Sequence, residues 1–240
     1  MHLAVLMTNT DESDFAQRHP KDGEKFKALI QSVRPDWTVS SFHVKDGVFP
    51  DDILAFDGVM ITGSPASVLG GQPWVARLLE EIRIAFAHGL PLFGACFGHQ
   101  AIALALGGTV EENPNGWGFG LIEMSVVEKA PWYDGDARLL QYGAHVEHVT
   151  QMPSGARRLF TSPHCDVAGF SIGTRVYTTQ NHPEMTPDFV AALIEEYADK
   201  MDPDVITRAR ASLQQCADTE VFARSIAAFF EAATAETAAT

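Results

Sequence analysis

The chain has 240 residues, 46% of them hydrophobic and 10% aromatic, with a formal net charge of −14. That length fits one large α/β unit over 1–240, with a core over about 1–200 and C-terminal helices over about 203–233, because either half alone would be small for an independent core. The apolar content excludes a disordered chain, and the acidity argues against a nucleic-acid partner, since phosphate binding calls for a Lys/Arg surface.

The first element is a short apolar run, His2 to Met7, suited to a buried parallel strand. It has no basic leader before it, and no stretch of the chain reaches 18 apolar residues, so neither a secretory signal nor a membrane span is expected and the expected location is the cytoplasm. Thr8 to Gly23 is polar and reads as a loop, after which Phe26, Leu29 and Ile30 take helical spacing. Thr38 to Val44 and Gly58 to Ile61 read as strands, the second ending in Thr62-Gly63-Ser64-Pro65. Pro73 to His88 has helical periodicity and stops at Gly89; Leu90 to Ala95 is a strand, and Gly98 to Leu106 a helix ended by Gly107-Gly108. The middle changes character. Gly120 to Val127, Leu139 to Val149, Arg157 to Phe160 and Arg175 to Thr179 read as consecutive strands, which predicts an antiparallel extension or second layer. Helices are predicted over Pro187 to Asp199, Asp204 to Gln215 and Glu220 to Ala233, with a fraying tail from Glu231. Strands alternating with helices predict a mostly parallel sheet covered on both faces.

Three cysteines, Cys96, Cys165 and Cys216, form no Cys-x-x-Cys pair, so neither a disulfide framework nor a structural zinc site is expected, and no metal or cofactor is implied. Cys165 and Cys216 read as small buried hydrophobes. Cys96 differs. Gly94-Ala95-Cys96-Phe97-Gly98 joins an apolar strand to an apolar helix, the pattern of a nucleophile elbow with Cys in place of Ser. Small flanking residues let strand and helix come close. The turn sets Cys96 at a helix N-terminus, where the dipole and unpaired N–H groups favour a thiolate, and makes the N–H of Phe97 a natural oxyanion donor. His99 and Gln100 are polar on an otherwise apolar helix start, where packing alone gives no reason for them.

A thiol acyl-transfer site needs a base, and the base needs an orienting group. Of nine histidines, His2, His19 and His43 occupy surface-like or strand positions, and His88 sits at a helix end where its charge suits the dipole. His145 and His148 do not read as a metal pair, because residues three apart in a strand face opposite ways. His182 follows a strand and lies in Gln180-Asn181-His182-Pro183-Glu184. An extended His-Pro-Glu puts both side chains on one side of the backbone, so Glu184 can fix the imidazole tautomer.

Together these residues resemble the class I, triad-type glutamine amidotransferases, and within them the stand-alone domains similar to that of GMP synthase. The match lies in Thr62 to Pro65, Gly94 to Gln100, His145 to Val149 with Met152 to Gly155, and Gln180 to Glu184. The resemblance implies a flavodoxin-like open mixed sheet with a Cys96–His182–Glu184 triad. It implies oxyanion donors at the backbone of Phe97 and of the Gly63-Ser64 turn, and substrate contacts from Gln100 and from the His145-Val146-Glu147 loop. It further implies a small-molecule substrate, glutamine or another γ-glutamyl compound. Because the chain ends about fifty residues after the triad, any acceptor chemistry is expected on a separate synthetase subunit. The expected reaction is hydrolysis of the glutamine γ-amide through a γ-glutamyl thioester; the alternatives are a γ-glutamyl peptidase using the same triad and a non-catalytic regulatory module.

Overall fold

A computed structural model describes residues 1–238. Strands β1 (His2–Met7), β3 (Gly58–Ile61) and β4 (Leu92–Ala95) are buried on both faces apart from His2. That burial explains why they read as unbroken apolar runs rather than alternating ones. With β2 (Thr38–His43) and β11 (Val176–Thr179) they form a parallel array ordered β2-β1-β3-β4-β11. Its register sets Leu3 opposite Val39 and Gly58, Val59 opposite Leu92, and Ala95 opposite Thr179. Four antiparallel strands extend the same sheet: β10 (Gly169–Ile172), β9 (Arg157–Thr161), β6 (Gly118–Val126) and β7 (Arg138–His145). The short strands β5 (Thr109–Glu112) and β8 (Glu147–Gln151) pair as a separate antiparallel ribbon.

Side chains that alternate along β1 feed two cores. Leu3 and Val5 meet Phe26, Leu29 and Ile30 of α2 (Asp22–Gln31) and Phe222, Ile226, Phe229 and Phe230 of α7 (Thr219–Ala238). Ala4 and Leu6 face Val75, Leu78 and Ile82 of α3 (Pro73–Ala87) and Phe97, Ala101 and Ile102 of α4 (Phe97–Ala105). A third cluster joins Tyr142 of β7 to Val190 and Ile194 of α5 (Pro187–Glu196) and to Ile206 and Ala209 of α6 (Pro203–Ser212). The mostly parallel sheet with helices on both faces, its antiparallel extension and the helical C-terminal region agree with the flavodoxin-like expectation.

Several elements depart from the sequence reading. Leu139 to Val149 is two strands, not one. The chain leaves the large sheet at Val146, whose carbonyl accepts from Asn113 N–H at 2.8 Å, and β8 then pairs with β5. Strands β5 and β10 were not anticipated. The segment Thr8 to Gly23 is not all loop. Ser13, accepting from Ala16 N–H at 3.2 Å, caps a one-turn helix α1 (Asp14–Gln17) that buries Phe15. Helix α7 continues through the expected fraying point to Ala238, and the last two residues of that tail lie outside the described residues. Cys165 is buried as expected, whereas Cys216 is exposed. No described helix is long and apolar enough to cross a membrane.

Candidate active site

Parallel strands in an open sheet present their carboxyl ends on one edge, and ligands bind in the crevice beyond that edge. Thr62 to Ser64 follow β3, Cys96 follows β4, and Gln180 to Glu184 follow β11, so three neighbouring strands deliver the candidate residues to one place. Buried polar side chains gather there, among them Thr62, His99, Gln100, Gln141, Thr179 and Gln180.

The elbow is tight because the residues around it permit no more room. A Cβ on Gly94 would stand 2.6 Å from the Gly98 backbone, and a Cβ on Gly98 would stand 2.3 Å from the Ile61 carbonyl oxygen. The close approach is sealed by hydrogen bonds from Gly98 N–H to Thr62 O (3.1 Å) and from Cys96 N–H to Thr179 O (2.9 Å). Cys96 itself sits at φ 51°, ψ −107°, and is the only non-glycine residue with positive φ among the described residues. An L-residue held there stores backbone strain, as residues at functional turns do.

His182 lies against this turn. Its backbone N–H donates to Tyr142 O at 2.7 Å, an isolated bridge that pins the residue to β7. Its Nδ1 donates to Glu184 Oε1, also at 2.7 Å, and both side chains are nearly fully buried. Gly63 lacks a Cβ for a reason found here, since one would meet the His182 ring carbon Cε1 at 2.5 Å. Burial alone would drive the imidazole neutral. The Glu184 carboxylate and the Cys96 sulfur, which also shares a side-chain hydrogen bond with the ring, outweigh it and hold the His182 pKa well above its usual range. The Nε2 face is therefore a proton donor directed at Cys96.

The remaining predicted residues surround this trio. The Gly63-Ser64 turn is fixed to β1: Thr8 Oγ1 donates to Gly63 O at 3.0 Å, and Ser64 Oγ donates to Thr8 O at 2.7 Å. The Ser64 side chain is thus engaged by the scaffold, and what the turn offers a substrate is its backbone. Gln100 Nε2 donates to Glu147 O at 2.8 Å and to Gln180 Oε1 at 3.4 Å, bracing the His145-Val146-Glu147 loop. The Glu147 carboxylate accepts from Ser67 Oγ at 2.5 Å, which ties that loop to the segment after β3. His145 is buried, and desolvation, aided by His164 and His182 nearby, pushes its pKa down to about 3. Phe97 opens α4, where the first N–H groups have no acceptor within the helix.

Sequence reasoning found no packing reason for His99, and the structure supplies one. Its Nδ1 lies 2.8 Å from Thr178 Oγ1, tying α4 to β11, and burial pushes its pKa down to about 3. Thr8, Ser67 and Tyr142 were missed as supports of the site. No local pattern marks them, because each acts across at least 40 residues of sequence.

A cysteine on a strained strand-to-helix turn, beside a histidine oriented by a carboxylate, is the equipment of an amidohydrolase working through a thiol. Comparison with known proteins agrees and gives the family: the profile for Glutamine amidotransferase class-I matches residues 25–194, and the chain belongs to that family of cysteine amidohydrolases. It is 29% identical over 218 residues to Gamma-glutamyl peptidase 3 of Arabidopsis thaliana, covering 82% of this chain and 86% of that one. A GMP synthase [glutamine-hydrolyzing] of Clostridium novyi is 34% identical over 130 residues, 53% of this chain but only 24% of that protein. The fold is shared with a solved glutamine amidotransferase of Thermotoga maritima, at a TM-score of 0.76 and 19% identity over 96% of this chain and 98% of that one.

Proposed function

We propose that the chain hydrolyses a γ-glutamyl amide through a Cys96–His182–Glu184 triad. The Cys96 thiolate attacks the γ-carbonyl carbon, and the resulting oxyanion is held by the backbone N–H groups of Phe97 and of the Gly63-Ser64 turn. His182, kept protonated by Glu184, gives its proton to the amide nitrogen. The C–N bond breaks, the amine leaves, and the glutamyl group remains as a thioester on Cys96. His182 then takes a proton from water, hydroxide adds to the thioester carbonyl, and glutamate departs as the thiolate is restored. Gln100 and the His145-Val146-Glu147 loop hold the glutamyl α-amino and α-carboxylate groups.

The observation that carries this reading is the buried 2.7 Å His182–Glu184 pair whose raised imidazole pKa depends on Cys96. The test is glutamate release from glutamine and from γ-glutamyl amides by wild type and Cys96→Ala protein. Turnover should fall at least roughly 1,000-fold in the variant, and turnover that survives it would sink the assignment. If the nitrogen is handed on as ammonia, the acceptor chemistry belongs to a synthetase partner, a reading supported by the likeness to part of a GMP synthase.

A further inference from the structure

Beyond His182 lies a cavity of about 320 Å³. Ammonia does not need it, because a molecule of that size occupies roughly 30 Å³; the volume falls in the range of small-molecule sites, roughly 300–1,000 Å³. His182, Glu184, Gly63 and Ser64 border it, whereas Cys96, Ser67, Gln100 and Glu147 do not. The cavity therefore touches the group that would protonate the departing nitrogen and avoids the groups proposed to hold the glutamyl portion. That is where the substituent on a scissile nitrogen must lie.

Its walls are apolar and built. One wall is the segment between β1 and α2, through Phe15, Ala16 and His19, and the facing wall is Met185, Phe189, Leu193 and Tyr197 of α5 and its flanks. Trp117 and Phe119 add aromatic surface to the lining. Within the first wall Phe15 packs on His19 at 4.5 Å, and the wall is held to α5 by Phe15 to Phe189 at 5.8 Å and His19 to Phe189 at 5.1 Å, with Lys25 Nζ 3.7 Å from the Phe189 ring centre. Asp11 and Lys21 also line the cavity, and most of the other lining charges answer one another. Lys45 Nζ reaches Glu12 at 2.6 Å and Asp46 at 2.9 Å, and Lys25 Nζ reaches Asp22 at 3.1 Å.

We infer that this cavity is a leaving-group subsite, and that the amide cleaved best is the γ-glutamyl amide of an amine bearing an uncharged, apolar body of aromatic-ring size. This rests on the Cys96 chemistry proposed above and adds which nitrogen leaves. The thioester forms as the C–N bond breaks, the His182 proton passes to the nitrogen, and the free amine leaves through the cavity.

The test compares kcat/KM for L-glutamine, γ-glutamyl methylamide and γ-glutamyl benzylamide in wild type and in cavity-filling variants, so that each variant corrects for the unequal basicity of the leaving amines. The benzylamide should exceed the methylamide by about tenfold or more, the worth of burying a ring. Ala16→Trp and Leu193→Trp, which fill the cavity from opposite walls, should lower benzylamide turnover by about tenfold while leaving glutamine within about twofold. Equal turnover of the two amides, or parallel losses on all three substrates, would overturn the subsite and leave the Cys96 chemistry standing. Turnover retained by Cys96→Ala protein, or absent from wild type on all three, would overturn the chemistry instead. The subsite is then read by calorimetric titration of Cys96→Ala protein, where benzylamide binding about tenfold tighter than methylamide supports it and equal binding refutes it.

Discussion

At position 182 burial and charge pull in opposite directions, and charge wins because Glu184 is 2.7 Å away and equally buried. A raised imidazole pKa means that the His182 proton, the one proposed for the leaving nitrogen, is present at neutral pH and is lost only as pH rises through the folded value. Glu184→Gln removes the favourable charge and leaves the desolvation. The alkaline limb of the kcat/KM profile should therefore move to lower pH, with turnover down by about 100-fold or more; an unmoved limb would show that Glu184 does not set the imidazole. The cysteines offer a second check. Burial pushes Cys165 up to about 12, Cys216 is exposed with no imidazole beside it among the described residues, and Cys96 faces the imidazolium. A mild alkylating agent near pH 7 should modify Cys96 ahead of both, as followed by peptide mass mapping. Single residues of this kind were legible because Gly-x-Cys-x-Gly and His-Pro-Glu are local patterns whose geometry follows from a few bonds. The brace between Ser67 and Glu147 was not, since its partners lie 80 positions apart.

Among elements, the contact between α4 and β3 leaves least room. Gly98→Ala would drive a Cβ into the Ile61 backbone, which cannot swing aside, and should destabilise the protein by about 1–3 kcal/mol, measurable as a lower urea midpoint. The α1 segment is held differently, by side-chain rings rather than by sheet. Phe15→Ala should speed hydrogen exchange over residues 9–20 and leave β1 and β4 unchanged. Elements buried on two faces were legible as apolar runs. Strand β5 was not, because Thr109-Val110-Glu111-Glu112 has one buried residue of four, and β10 is a short run packed between irregular turns. The break at Val146 has no sequence mark either: the residues on both sides suit a strand, and only the β5–β8 pairing, a tertiary fact, draws the chain away.

For the whole molecule, buried histidines shape the response to pH. His99 and His145 have pKa values pushed down to about 3, so between pH 6.5 and 3 the unfolded chain binds protons that the folded chain refuses. Stability must fall through that window, by about 1–2 kcal/mol per pH unit for each such ring. His182 acts in the opposite sense. Its raised pKa adds stability that is fully present below about 6.5 and is lost as pH rises through the folded value. As far as these imidazoles govern it, stability should peak near pH 6.5 in urea titrations, and His99→Phe should flatten the acid side. The cavity beyond His182 illustrates what sequence could not supply at this scale. Its lining comes from six separated stretches, and the apolar ones among them carry no motif; the docking of Phe15 against Phe189 brings two of them together.

The conformation of Cys96 has a consequence for how this protein can change. At φ 51° and ψ −107° the residue that fits with least strain is glycine, which has no side chain at all. Cys96→Gly should therefore be more stable than Cys96→Ala, by about 1 kcal/mol or more. The drift that relaxes the turn is the one that discards the thiol, so at this position robustness and chemistry cannot be improved together.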